Sequence, residues 1–302
     1  MPESRPTLPS LNRASSNITG PVIWTILLIS LGIHALSLVL GKTVLHDTRW
    51  ANLAVHAAVE MSGSLIALLV VWMLLILEQR GEGTSFNIPI AGAMIAMGIL
   101  DGCHAVTSAA NAFVWIHSIA TFAGGALFAL VWVSPSKWSP WLKRRFCPAI
   151  FTVSLFVGIL PLSNPDLAPS MLRQGEFTPL AKLLNILGGV GLFLAAIRLV
   201  LTYRKTNKVD DLLFCLHCVL FGAAAIMFEQ SAIWDVPWWG WHLLRLMAYG
   251  VALGLIVLTE IRAQRLLIQT TRELTEMTET LEARVEERTS ELQRKNVELE
   301  SA

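Results

Sequence analysis

Five ionisable residues fall inside three consecutive apolar stretches: His56 and Glu60 in the first, Asp101 and His104 in the second, His117 in the third. Imidazole nitrogen and carboxylate oxygen suit zinc, copper or iron, and a carboxylate often holds an imidazole from behind. His56 and Glu60 stand four apart, and Asp101 and His104 three apart, so on helices each pair shares one face. The pattern predicts a binding site of His56, Glu60, Asp101, His104 and His117, with His56, Glu60, His104 and His117 as metal ligands. His242 and Arg245 arrive from a later apolar stretch and Glu229 from the one before it. They either close the site, with His242 as a further cofactor-binding residue, or form an Arg245–Glu229 pair. The pair is the preferred reading, because a charge in hydrocarbon needs a partner. Three occupants fit: a bare transition metal, a haem held between two histidines, or an organic ligand held by hydrogen bonds. No covalent haem attachment motif accompanies the histidines. The bland alternative is a His–carboxylate network that only joins helices. Five such residues on three adjacent stretches argue for function.

The elements that must position these residues are membrane helices. The chain has 302 residues, 54% hydrophobic and 15% charged, with a mean hydropathy of +0.58. A soluble domain has about a quarter of its residues charged. The expected fold class is therefore an all-α integral membrane protein, with about eight transmembrane helices followed by a C-terminal parallel coiled coil. A net charge of +1 offers no basic character for nucleic acid. Four cysteines in apolar settings do not make a disulfide framework. The polar first twenty residues lack the pattern of a cleaved signal peptide. The sequon at Asn17-Ile18-Thr19 is read as chance.

A span needs about 20 mostly apolar residues. The candidates are 21–41, 53–77, 88–109, 112–134, 148–164, 178–202, 211–233 and 237–261; the fifth is the shortest and contains Pro161. Cytoplasmic loops carry an excess of Lys and Arg. With eight spans, twelve basic residues fall on one side, including Lys143, Arg144, Arg145, Arg204, Lys205 and Lys208. Three (Lys42, Arg49, Arg173) fall on the other. Both termini are thus expected in the cytoplasm. At 1.5 Å per residue, His56, Glu60, Asp101, His104 and His117 lie roughly 5 to 12 Å below the outer face.

Other residues carry weaker signals. Trp50, Trp234, Trp238, Trp239 and Trp241 fall at outer boundaries and read first as an interfacial belt; the second reading has Trp238, Trp239 and Trp241 roof a ligand pocket. Gly124 and Gly125 in the fourth span, and Gly188, Gly189 and Gly191 in the sixth, permit close helix packing. Lys182 reads as snorkelling to the interface, His34 as structural and His46 as solvated. Cys215-Leu216-His217-Cys218 has the look of a metal or redox motif. Without a second cysteine pair, it reads as small apolar residues in a span.

After Gly254 no Gly or Pro occurs, so the last helix is expected to continue into the cytoplasm. Leu267, Thr271, Leu274, Thr278, Leu281, Val285, Arg288, Leu292, Lys295 and Leu299 alternate steps of four and three, which is a heptad seam. It predicts a homodimer through residues 263–302.

The segment Leu281 to Leu299, with its Leu-Glu-x-x-Val-x-x-Arg-Thr-x-Glu-Leu pattern and Asn296, resembles the linker joining bacterial membrane sensors to their output domains. His56-x-x-x-Glu60 followed by Asp101-x-x-His104, in a multi-span bundle of this size, resembles the membrane-associated sensor (MASE-type) domains of such proteins. The resemblance implies a bacterial inner-membrane receptor that detects a ligand, metal or redox state. Domains would run 1–20 (cytoplasmic tail), 21–262 (membrane sensor) and 263–302 (signalling helix). The relay would lead to a histidine kinase or diguanylate cyclase domain beyond Ala302. No phosphoacceptor helix, ATP-binding lobe or Gly-Gly-Asp-Glu-Phe motif occurs in the sequence. The competing reading is a membrane metalloenzyme or haem or metal electron carrier using the same histidines. A transporter is a third, against which stands the lack of an inverted repeat.

Overall fold

The computed structural model describes residues 11–108, 110–133 and 137–301, the side chains of 11–23 and 255 excepted. The first half of the expected N-terminal tail, the third span's expected end at Ala109, the fourth span's expected end at 134 and the first two residues of the 135–147 basic loop lie outside the described residues.

Among the described residues the chain is all-α apart from one small hairpin. Its helices are α1 (Leu11–Lys42), α2 (Leu53–Arg80), α3 (Asn87–Ala105), α4 (Ala110–Phe128), α5 (Pro140–Ser163), α6 (Pro179–Thr206), α7 (Val209–Met227) and α8 (Val236–Glu300). A 3₁₀ turn extends α4 to Trp132 and another extends α7 to Gln230. Each of the eight is long and apolar enough to cross a membrane. The hairpin pairs β1 (Leu172–Arg173) with β2 (Glu176–Phe177). Its turn places Gln174 and Gly175 at φ 55° and 85°, the two left-handed positions of a tight hairpin turn.

The fifth helix differs from expectation. Ser139 accepts a hydrogen bond from Leu142 N, and Pro140 occupies the first turn. Together they start α5 well before the expected position 148, so Lys143, Arg144 and Arg145 belong to its first turns rather than to a loop. At 24 residues it is not the shortest helix. Local capping overrode the hydropathy signal.

Two compact units result, residues 1–255 and 256–302. In the first, α3 is central: 94% of its apolar window is buried, by α2, α4 and α5. Further packing runs from α4 to α6 and from α6 to α7. The α4–α6 crossing depends on glycine. A Cβ at Gly125 would overlap the backbone of Gly188, and one at Gly188 would overlap the carbonyl of Thr121. The second unit is helix alone. Its apolar heptad residues are uncovered, from Leu281 at 55% to Leu299 at 76% exposure.

Candidate metal centre

Local structure sets each side chain of the site. Asn52 caps α2 by accepting from Val55 N, which places His56 in the first turn and Glu60 one turn on. On the same face, Ser64 donates to the Gly98 carbonyl at 2.6 Å. A Cβ at Gly98 would press on Ala67 and on the Ser64 carbonyl, so this glycine lets α2 and α3 approach closely. That contact brings Asp101 and His104 beside His56 and Glu60. At the start of α4, Asn111 accepts from Met171 N and Leu172 N, pinning the hairpin over His117's helix. Asp235 accepts from Ala232 N and Trp238 N and so starts α8. Burial raises the Asp235 carboxyl, against the lowering effect of those two hydrogen bonds and of Arg49.

All six sequence-derived site residues, His56, Glu60, Asp101, His104, His117 and His242, are buried and meet at one end of the first unit. Arg245 is at their centre. Its Nη1 donates to Glu60 Oε1 at 2.9 Å and to His117 Nδ1 at 2.8 Å. Its Nη2 lies 2.5 Å from Asp101 Oδ1. Tyr249 donates to Asp101 Oδ2 at 2.6 Å. The Tyr249 ring lies against Gly63, where a Cβ would collide with it. The preferred Arg245–Glu229 pair is therefore not formed. Glu229 is exposed in the turn after α7, while Glu60 and Asp101 present buried carboxylates that require compensation.

Four ligand atoms gather within 4.8 Å of one another, from His56, Glu60, His104 and His242, a group that can hold a metal ion. The set differs from the sequence-derived one in one member. His242 takes the place of His117, whose Nδ1 is taken by Arg245. Ligand atoms about 2 Å from an ion stand roughly 3.4 Å apart in a tetrahedron. Closing onto an ion therefore asks for small side-chain shifts.

Hydrogen-bond accounting shows why these residues want an ion. His242 Nδ1 lies 2.7 Å from the Trp238 carbonyl. A carbonyl only accepts, so Nδ1 carries the proton and Nε2 presents a lone pair. That lone pair sits 3.3 Å from Glu60 Oε1, without a hydrogen bond. Both ring nitrogens of His56 and of His104 are buried and unpartnered as well. Buried polar atoms normally find partners, because leaving one unmatched costs about 1–3 kcal/mol. A bound cation would give these nitrogens partners.

Aromatic rings wall the site. His242 stacks on Trp241 and meets Trp238 at a tilt, each with ring centroids 3.7 Å away. His104 packs on Phe113 at 4.1 Å. Trp238 and Trp241 are thus buried walls, contrary to the belt reading, whereas Trp50 is 53% exposed. Sequence reasoning missed Tyr249, Gly63 and Phe113. The spacing of Tyr249 four after Arg245 was the available signal for the first. The other two carry none.

The remaining candidates stay apart from this centre. His217 gives its Nδ1–H to the Ala248 carbonyl, with Cys215 and Cys218 buried beside it in α7. His46 is exposed and pairs with Asp47. His34 and Lys182 are half-buried.

No protein-family model, curated protein or solved structure matches the chain.

Proposed function

We infer that this chain is a membrane-spanning receptor whose buried His56, Glu60, His104 and His242 bind a transition-metal ion, and whose state passes along α8 to a dimeric coiled coil. One observation carries the reading. A single helix bears His242 and Arg245, which tie it to the site, and also bears the uncovered heptad from Leu267 to Leu299.

Membrane insertion is supported by the outer surface. Trp24, Leu28, Trp72, Val153, Phe156 and Leu183 all expose more than half of their area. Soluble monomers do not present so broad an apolar surface. With the basic residues of the α5 start and of the α6–α7 turn on one side, the positive-inside rule supports both termini in the cytoplasm and the metal centre toward the outer face.

A bare ion suits this packing better than a haem. The imidazoles of His56 and His104 meet edge to face with centroids 4.9 Å apart, and the cavity beside His104 is only about 10 Å³. A macrocycle would have to part the rings. Signalling requires that the ion, its redox state or its ligand favour one of two arrangements of α8. His242 and Arg245 give α8 that differential contact. The parallel coil, as in the MASE-type sensors the sequence resembles, would carry the change to an output domain.

The test is a reconstituted receptor fused to a reporter output. His56→Ala and His104→Ala should each abolish the metal-dependent response while the protein remains a folded dimer. An unchanged response in both variants would remove the site from signalling.

A further inference from the structure

Two cavities meet at one side chain. The inner one, about 10 Å³, is bounded by His104, His117, Phe228, Trp238, Trp241 and Phe113. The outer one, about 280 Å³, is lined by Ala51, Leu53, Ser108, Ile233, Trp234 and again Phe113. Phe113 is itself buried. Its ring lies 4.1 Å from His104, 5.0 Å from His56 and 6.2 Å from Trp234. It therefore divides the outer vestibule from the imidazoles.

Trp234 stands on the other side of this divide, 5.8 Å from His56. Its φ of 68° is left-handed, which is uncommon for a bulky residue and strained. The turn is held in that conformation by the Asp235 cap and by Trp50 N donating to the Trp234 carbonyl at 2.9 Å. Strain of this kind collects at clamps and switches.

We propose that Phe113 is a gate, admitting an uncharged molecule of one or two heavy atoms from the vestibule to the metal centre. Size and polarity define that class. The inner cavity holds about one water-sized molecule. Among the described residues the vestibule is lined mainly by apolar side chains, with the Ser108 hydroxyl and the Trp234 indole N–H as its polar side-chain groups, so an ion would shed its hydration with little in exchange. His117 completes the receiving end. A guanidinium has no acceptor, so Arg245 donates to His117 Nδ1 and the ring proton sits on Nε2. That N–H is a donor for a ligand beside the ion. Entry would push the Phe113 ring against His56 and His104, coupling occupancy to the ligands themselves.

This inference rests on the metal reading, and one experiment separates the two. The purified full chain is loaded with Co(II), whose visible spectrum reports the ligand set, and mixed with nitric oxide in a stopped flow. Nitric oxide should shift the spectrum, with association at least tenfold faster in Phe113→Leu and slower in Phe113→Trp than in the wild type. A Co(II) spectrum that forms but ignores nitric oxide, or equal rates in all three proteins, would overturn the gate and leave the metal centre standing. Failure of the wild type to take up Co(II) would overturn both.

Discussion

The two units of this chain lack complementary things. In residues 1–255 the unmet demand is polar and internal: imidazole nitrogens of His56, His104 and His242 are buried without partners. In residues 256–302 it is apolar and external: Leu267, Leu274, Leu281, Val285, Leu292 and Leu299 lie uncovered. The first is met by something small enough to enter a packed interior and charged enough to bind several lone pairs. The second is met by something long, apolar and helical. An ion and a second copy of the same helix satisfy these two descriptions. Both demands fall on α8, which is why one helix can connect them.

The sharpest way to break the contrast is to remove the charge at the heart of the first unit. Arg245→Met leaves Glu60 and Asp101 buried with no cation between them. Breaking a buried pair in this way costs about 3–5 kcal/mol. Thermal unfolding in detergent should show a large loss, while a peptide of the isolated stalk is unaffected. Gly125→Ala acts on packing instead. Its new methyl meets the Gly188 backbone, which cannot retreat as a side chain can. Overpacking of this kind costs about 1–3 kcal/mol, read in the same unfolding assay, with metal still bound at low temperature.

How much of this could be read beforehand differs between the two units as well. The heptad is a local pattern, so residues 267–299 announced an uncovered apolar seam directly. The site was half legible. His56 with Glu60, and Asp101 with His104, are pairs one helical turn apart, and the short connection before α4 brings His117 alongside. What joins them was not legible. Arg245 is 185 residues from Glu60 and 128 from His117. Nothing in periodicity decides whether a guanidinium in α8 faces Glu229 or the interior. The Phe113 partition and the Gly63 hollow for Tyr249 are likewise products of helix crossing. The early start of α5 was missed because polar residues Lys143, Arg144 and Arg145 hid a helix that Ser139 and Pro140 begin.

Smaller effects sharpen the comparison further. Leu274→Asp should abolish dimerisation, measured by cross-linking through an engineered cysteine at position 281, and leave the metal content unchanged. His242→Ala should do the reverse, losing the ion and keeping the dimer. Crossed effects would show that the demands are not separate. Least of all, Arg272→Ala removes an exposed pair with Glu276 off the seam. Such pairs contribute about 0–1 kcal/mol, so dimer affinity should change by less than fivefold.

Elemental analysis of the purified wild type beside His242→Ala decides whether the buried histidines hold an ion. Stoichiometric zinc, copper or iron is expected in the wild type and its loss in the variant, with both proteins folded. A wild type that, after incubation with each of these metals and desalting, retains none, or a variant that keeps its ion, would contradict that expectation.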